Sequence, residues 1–271
     1  MQDSLLKIDN AAFAYDTGLI FRDIDWQVRK GEIWCLMGHN GCGKSTLLDC
    51  ILGVHKLADG QIYLSGKPLN QYNPQSLAKN LSYIPQGHDR SFPYKVRQIV
   101  LMGRTAYLGG LGSPNAADKA LVKQVMTEVG IEHLADRPYT QISGGEMQMV
   151  LLARALVQET PLIIMDEPTA HLDYYNELLF LETVSRLLKD GKKTVIMATH
   201  SPNQALYLEA RGLSVKVAMM NNGRLAVSGK PSQILTVDNL RRHYRIETRI
   251  LQDGNSGGLQ QIVPLYTLKE S

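Results

Sequence analysis

Cysteine is scarce in this sequence, and what is present forms no framework. The 271 residues contain 3 cysteines, Cys35, Cys42 and Cys50. They sit in one short stretch, lack the C-x-x-C spacing of a metal knuckle, and leave an odd thiol over, which points to reduced side chains, a cytosolic setting and a packing role. Long hydrophobic runs are also missing. No stretch of about 18 apolar residues occurs, so no helix of the chain is expected to span a bilayer. The opening MQDSLLKIDN has no apolar core of the signal-peptide kind. Any work at a membrane is therefore expected to go through a partner. A basic excess is absent too: 29 Lys and Arg stand against 26 Asp and Glu, a net charge of +3. That balance argues against nucleic acid as a partner. Internal repeats and low-complexity segments are lacking. What remains is 44% hydrophobic and 20% charged, the composition of a globular protein with a sizeable core.

The pattern of apolar residues gives an element order. Leu5 to Ile8, Ala12 to Tyr15 and Ile24 to Val28 read as strands, with turns at Asp16-Thr17-Gly18 and Arg29-Lys30-Gly31-Glu32. Ile33 to Met37 is an uninterrupted apolar run, as expected of a strand buried on both faces. Lys44 to Leu52 then has helical spacing, and Gln61 to Leu64 and Leu81 to Ile84 read as strands. The region from about Val96 to His133 is helical in period but interrupted at Gly109 to Pro114, and a further helix runs from Gly144 to Val157. Pro161 to Met165 and Lys193 to Ala198 are strands on either side of a helix at Tyr174 to Leu188. Two short strands flank Asn221-Asn222-Gly223, and a helix lies near Pro231 to Leu235. Beyond that the pattern is weak, with a polar, glycine-rich loop or hairpin tip expected at Asp253 to Gly258. Alternating strands and helices imply an α/β core with a largely parallel sheet, and the helical stretch between Gln86 and Gln141 implies an inserted subdomain.

The loop after the first buried strand carries chemistry. Gly38-His39-Asn40-Gly41-Cys42-Gly43-Lys44-Ser45, followed by Thr46, fits G-x-x-x-x-G-K-[ST]. Glycines let the backbone turn its N–H groups inward around phosphate oxygens, and the helix starting near Lys44 aims its positive dipole end at the anion. Lys44 is placed to reach terminal phosphates and Ser45 to offer a hydroxyl to Mg²⁺. A second candidate is Leu162 to Met165 ending in Asp166 and Glu167. Ligands of open α/β sheets bind at the carboxyl ends of strands. Asp166 would hold a metal through water and Glu167 would polarise an attacking water. On these residues alone, an acidic pair that merely ends a strand is an equal alternative; with the phosphate loop upstream, nucleotide hydrolysis leads.

Ile142-Ser143-Gly144-Gly145-Glu146 names a family by resemblance. It resembles the signature motif of ABC ATPases, whose usual form is LSGGQ, and it precedes the acidic strand by about twenty residues, as in that family. A serine and two glycines at a helix N-terminus repeat the logic of the first anion site. The resemblance implies that this second site serves ATP held by another copy, so that the chain works as a homodimer around two Mg-ATP. It further implies that Tyr15 stacks on adenine, that Gln86 senses Mg²⁺ and contacts the membrane partner, that Ala170 to Asp173 crosses the dimer interface, and that His200 contacts the γ-phosphate. Glu146 departs from the usual glutamine, and Met147 and Met149 stand where basic residues are common. The resemblance covers residues 1 to about 235. It implies a P-loop NTPase core of mixed and parallel sheet, an N-terminal antiparallel β region, a helical subdomain inserted at about 87–158, and an extension at 236–271 with no assigned role.

Within the family the chain resembles importer subunits for metal chelates (ferric siderophores, haem, cobalamin) or oxyanions such as molybdate and tungstate. The resembling segments are Val100 to Thr105, Thr46 to Asp49 and Ile262 to Tyr266. This implies an ATPase at the cytoplasmic face of the inner membrane, peripheral to separate transmembrane permease subunits and served by an extracytoplasmic substrate-binding protein. The alternatives are a soluble ABC ATPase without a permease, as in iron–sulfur cluster assembly, a nucleotide-gated module that does not hydrolyse, and an exporter. Glu167 and His200 argue against the second, and an unfused membrane domain leans towards import.

Overall fold

The expected strands and helices are borne out in a computed structural model, which describes residues 4–87, 92–109, 112–252 and 260–268. The first elements are β1 (Ser4–Tyr15), β2 (Gly18–Arg29), β3 (Ile33–Met37), α1 (Lys44–Ile51), β4 (Asp59–Leu64) and β5 (Lys67–Pro68). There follow α2 (Pro74–Ala78), β6 (Leu81–Ile84), α3 (Val96–Leu101), α4 (Ala116–Val129), α5 (Gly144–Val157), β7 (Leu162–Asp166) and α6 (Tyr174–Leu188). The chain ends with β8 (Thr194–Ala198), α7 (Pro202–Ala210), β9 (Val215–Asn221), β10 (Arg224–Gly229), α8 (Pro231–Ile234), α9 (Val237–Tyr244), β11 (Ile246–Gln252) and β12 (Gln260–Thr267). These elements fall into two units, Met1–Gln71 with Leu188–Ser271, and Tyr72–Leu187.

In the first unit, β1, β2, β4 and β5 form an antiparallel sheet in the order β2-β1-β4-β5. The two short strands expected between Leu5 and Tyr15 are one strand, β1, whose register shifts near Asn10. Asn10 adopts a left-handed φ of 46°, a bulge that bends the strand without ending it. A second group runs β10-β9-β3-β8. Here β3 lies parallel to both β8 and β9, with Leu36 opposite Ala198 and Ala218. Every residue of β3 and β8 is buried, which is why both read as unbroken apolar runs rather than alternating ones. The β9–β10 hairpin turns on Asn222 and Gly223, both with positive φ (48° and 69°), as a tight two-residue turn requires.

The weakly patterned C-terminal segment is also ordered. Arg245 takes a left-handed φ of 55° at the end of α9 and starts β11. Arg241 forks onto Glu247, with Nε to Oε2 and Nη2 to Oε1 both at 2.9 Å, which ties the helix to the strand. Leu240 and Ile262 are buried. The side-chain amide of Asn203 on α7 accepts from the Ile262 amide (2.8 Å) and donates to its carbonyl (3.1 Å), a substitute for strand pairing. The loop expected at Asp253 to Gly258 lies outside the described residues.

The second unit holds the parallel pair β6–β7, with Leu81 opposite Leu162, and the helices α2 to α6. The helical stretch beginning at Val96 is two helices with a 3-10 segment, Met102–Tyr107, after the first. Asn115 and Asp118 start α4 with a reciprocal capping box. Arg104, almost fully buried, gathers this unit. Its Nε donates to Asp118 at 2.9 Å, and its Nη1 donates to the Val157 carbonyl at 2.8 Å and to Glu159 at 2.7 Å. Its guanidinium also lies 4.0 Å from the Tyr107 ring centroid. One side chain thereby joins the 3-10 segment, the start of α4 and the end of α5.

The hydrogen bond from Arg104 holds the Asp118 carboxyl below the ordinary carboxylate range. A depressed carboxylate stabilises the fold above its unfolded pKa, and the gain is lost as pH falls through the folded value. Arg104→Met is expected to lower the melting temperature by about 2–8 °C at pH 7, what one to two kcal/mol does in a chain of this size. Adding Asp118→Asn should recover part of that loss. The gap between the native protein and Arg104→Met should narrow as pH drops below the carboxylate range, which thermal denaturation over a pH series measures.

Candidate functional site

The phosphate-loop motif occupies the exit of β3 in the first unit. Gly38, Gly41 and Gly43 have positive φ of 154°, 80° and 101°. Gly38 has a second reason to be glycine. A Cβ there would lie 2.5 Å from the Met220 carbonyl of β9 and 2.6 Å from the Cys42 sulfur. The loop can therefore leave the sheet only by pressing its backbone against β9. α1 then starts on Gly43, with no side-chain cap and no acidic residue in its first turn. A helix start presents backbone N–H groups that have no intrahelical carbonyl to meet. A phosphate fits such a cradle by charge and by geometry.

Lys44 is buried at 5% exposure, and its Nζ donates to the Gly38 carbonyl at 2.9 Å and to the His39 carbonyl at 3.4 Å. The ammonium is thus folded over the loop it would share with phosphate oxygens. His39, Asn40, Gly41 and Ser45 are exposed, Thr46 is half-buried, and Cys42 is buried. Burial pushes the Cys42 thiol up, so it is an inert packing group rather than a nucleophile. Tyr15 ends β1 at 43% exposure, packed edge-on against Phe13 with centroids 4.8 Å apart. His200 follows β8, and the Thr199 amide just before it donates to the Leu36 carbonyl of β3 at 3.0 Å. The chain thus brings His200 beside the strand that launches the phosphate loop. The Thr199 hydroxyl donates to Gln204 at 2.7 Å and accepts from the Ser201 amide at 3.1 Å, which shapes the turn around His200.

The second unit holds the acidic and serine-glycine motifs. Asp166 ends β7, buried at 6% exposure, and Glu167 follows with a left-handed φ of 44°. The turn to positive φ takes Glu167 out of the strand direction and within reach of Gln86, whose Nε2 donates to Glu167 Oε2 at 3.1 Å. Gln86 itself is exposed just past β6. A carboxylate at the end of a buried strand, with an amide oxygen nearby on Gln86, is a hard-oxygen donor set of the kind Mg²⁺ takes.

Ser143 is the N-cap of α5. Its hydroxyl accepts from the Glu146 amide at 3.2 Å, and Glu146 Oε2 accepts from the Ser143 amide at 2.7 Å. Gly144 faces open space, whereas a Cβ on Gly145 would collide with the Asn176 side chain. Asp173 in turn caps α6, accepting from the Asn176 amide at 2.8 Å and from its side chain at 2.9 Å. The signature segment and the loop ending at Asp173 are thereby linked through Asn176.

Three participants carry no motif. Asn176 abuts Gly145; His55 touches Tyr15; Tyr244 of α9 lies behind the phosphate loop. The Tyr244 hydroxyl is buried near the Gly38 amide and Cys42, and burial pushes the phenol up. None is readable from spacing, because each depends on elements distant in sequence.

The chain is similar to proteins of a known family. The family model for ABC transporters matches residues 21–170. An uncharacterised ABC transporter ATP-binding protein of Haemophilus influenzae is 37% identical over 247 residues, covering 91% of this chain and 92% of that protein. The molybdate import ATP-binding protein MolC of the same organism is 33% identical over 242 residues, covering 89% of this chain and 88% of MolC. Among solved structures, one described as a metal-chelate-type ABC transporter in an inward-facing conformation superposes with a TM-score of 0.84 at 32% identity, covering 98% of each chain. A family model that matches more than half of the residues, and relatives above 30% identity along nearly the whole length, show that the chain belongs to the ABC transporter family as an ATP-binding, ATP-hydrolysing domain.

Proposed function

We propose that this chain powers the import of a metal chelate or an oxyanion through separate permease subunits, working as a homodimer that closes on two ATP. The observation that carries the reading is the full-length likeness, 98% of each chain at a TM-score of 0.84, to a metal-chelate-type transporter. The molybdate-import relative supports the oxyanion half of the class. Among the described residues no helix is long and apolar enough to cross a membrane, in keeping with a peripheral subunit. The reading places the chain at the cytoplasmic face of the inner membrane, with a substrate-binding protein on the far side.

The roles follow from the side chains. The amides of Gly38 to Ser45 and the Lys44 ammonium bind the phosphates. Tyr15 stacks on the base. Ser45, Asp166 and Gln86 would hold Mg²⁺, which neutralises charge on the β- and γ-phosphates when bound. Glu167 accepts the proton of the attacking water, and its hydrogen bond from Gln86 keeps the carboxylate oriented before that step. His200 contacts the γ-phosphate. Ser143 to Glu146 of one copy meets the nucleotide held by the other, and tighter binding of ATP by the closed pair shifts the population towards closure.

Glu146 keeps the signature helix intact despite replacing glutamine. The Ser143 amide holds its carboxyl below the ordinary range, with Arg137 3.6 Å away adding to the effect. The box is thus at full strength above the unfolded pKa and fades as pH falls through the folded one. A glutamine side chain can close the same box without titrating.

Three sets of outcomes test this account. Glu167→Gln should retain ATP binding, lower turnover by about 10²- to 10⁴-fold as loss of a general base does, and accumulate an ATP-bound dimer by size-exclusion chromatography. Open monomers alone would sink the dimer reading. Purification from membranes in mild detergent should bring a stoichiometric, highly hydrophobic partner that raises turnover; recovery with soluble partners alone would remove transport while leaving the ATPase. For the signature, Glu146→Gln should melt like the native protein at pH 7, and Glu146→Ala should lose about 1 kcal/mol, the usual worth of a cap. Only the native protein's advantage over Glu146→Ala should shrink in acid.

A further inference from the structure

The base end and the phosphate end of one nucleotide are assigned above to different elements, Tyr15 at the end of β1 and the loop into α1. Something has to hold Tyr15 in place, since it is 43% exposed and is followed at once by a two-residue turn. We infer that His55 is the positioning residue that locks Tyr15, and with it the base-stacking face, to the phosphate-loop helix. The inference rests on the reading of Tyr15 as the base platform.

The contacts all converge on the imidazole. The Tyr15 hydroxyl and His55 Nε2 lie 3.1 Å apart, one hydrogen bond whichever group donates. The two rings meet edge to face, with centroids 5.6 Å apart and planes at 89°. The other side of the imidazole stacks on buried Phe13, at 5.2 Å and 29°. Phe13 in turn meets Tyr15 edge-on, so the three rings form a closed triangle. An exposed tyrosine with only a strand behind it can turn about χ1 and χ2; one whose hydroxyl and edge are both engaged cannot.

His55 is anchored to α1 as well. The Asp49 carbonyl on α1 accepts from the Val54 amide at 2.9 Å and from the His55 amide at 3.4 Å. The Asp49 carboxylate also lies 4.0 Å from His55 Nε2. Three residues further on, the Ala58 amide donates to the Ala12 carbonyl of β1 at 2.8 Å. The segment from Val54 to Ala58 is therefore a strut between α1 and β1, and its His55 side chain reaches Tyr15. The strut sets the separation between the surface offered to the base and the amides offered to the phosphates. A nucleotide binds well only when both ends are met at once, because ordering a flexible side chain on binding costs free energy that a pre-positioned one does not.

The test uses the full chain, with ATP affinity read by titration calorimetry and turnover read against ATP concentration. His55→Leu keeps the volume near that of the ring but removes the hydrogen bond. It is expected to raise Kd and KM for ATP about fivefold, the size of an aromatic contact with its hydrogen bond, while kcat at saturation changes less. His55→Gln, whose amide can still meet the Tyr15 hydroxyl, should recover most of the affinity. Tyr15→Phe should reproduce the His55→Leu effect, and the double variant should add little to either, since both remove one interaction. Inorganic tripolyphosphate, which has no base, should bind native protein and His55→Leu alike. If His55→Leu weakens tripolyphosphate as much as ATP, or leaves ATP affinity unchanged, the positioning role is overturned. Tyr15→Ala separates this from the platform reading: if it leaves ATP affinity unchanged, Tyr15 is no base platform at all. If it weakens ATP while His55→Leu and Tyr15→Phe do not, the platform stands and the His55 lock falls.

Discussion

A helix that begins on a glycine, with no side chain to cap it, is the feature on which the rest of the first unit turns. α1 starts on Gly43, without a side-chain cap or an acid in its first turn, and its amides are held open by a loop of positive-φ glycines. That loop exists because β3 is buried at every residue between β8 and β9 and can leave the sheet only past the Met220 carbonyl. The same packing sets His200, one residue beyond the Thr199–Leu36 hydrogen bond, at the neighbouring strand end. Burial of apolar strands, worth about 1.5–3 kcal/mol for each large side chain, offsets the cost of an open polar cradle.

The second helix start has the opposite design. α5 satisfies its own first amides through Ser143 and Glu146, and packs Gly145 against Asn176. A start that is capped from within is ordered before any ligand arrives, which suits a surface expected to meet a nucleotide held elsewhere. It also explains why a glutamate is tolerated where the family usually has glutamine: the position is needed for an oxygen acceptor facing the Ser143 amide, and both side chains supply one. Arg104 does comparable work deeper in the same unit, where a buried cation is matched by Asp118, Glu159 and a carbonyl.

The C-terminal segment gives the site a rear wall. Tyr244 sits behind Gly38 and Cys42, His243 meets Asn221 at 3.3 Å, and β12 is clasped by Asn203 three residues past His200. These contacts reach the phosphate loop and the helix that follows the His200 turn. They were invisible in the sequence for a physical reason. α9 buries only Leu240, and β12 buries only Ile262 within a strand that contains Pro264. One buried residue per element leaves neither a helical stripe nor an alternation to detect.

Local chemistry was legible wherever a motif demanded a backbone conformation. The glycines of the phosphate loop, the buried runs of β3, β7 and β8, the Asn222–Gly223 turn and the Ser143 helix start could each be read from neighbouring residues, because positive φ, two-sided burial and capping are properties of a few consecutive positions. The sequence by itself thus determined the order of the buried strands and which loops and helix starts follow them. Only the tertiary structure decided that Gln86 reaches Glu167, that Asn176 sits against Gly145, and that His55 holds Tyr15. Each of those pairs is brought together by the packing of separate strands and helices, and no spacing rule along a chain encodes a distance across a fold.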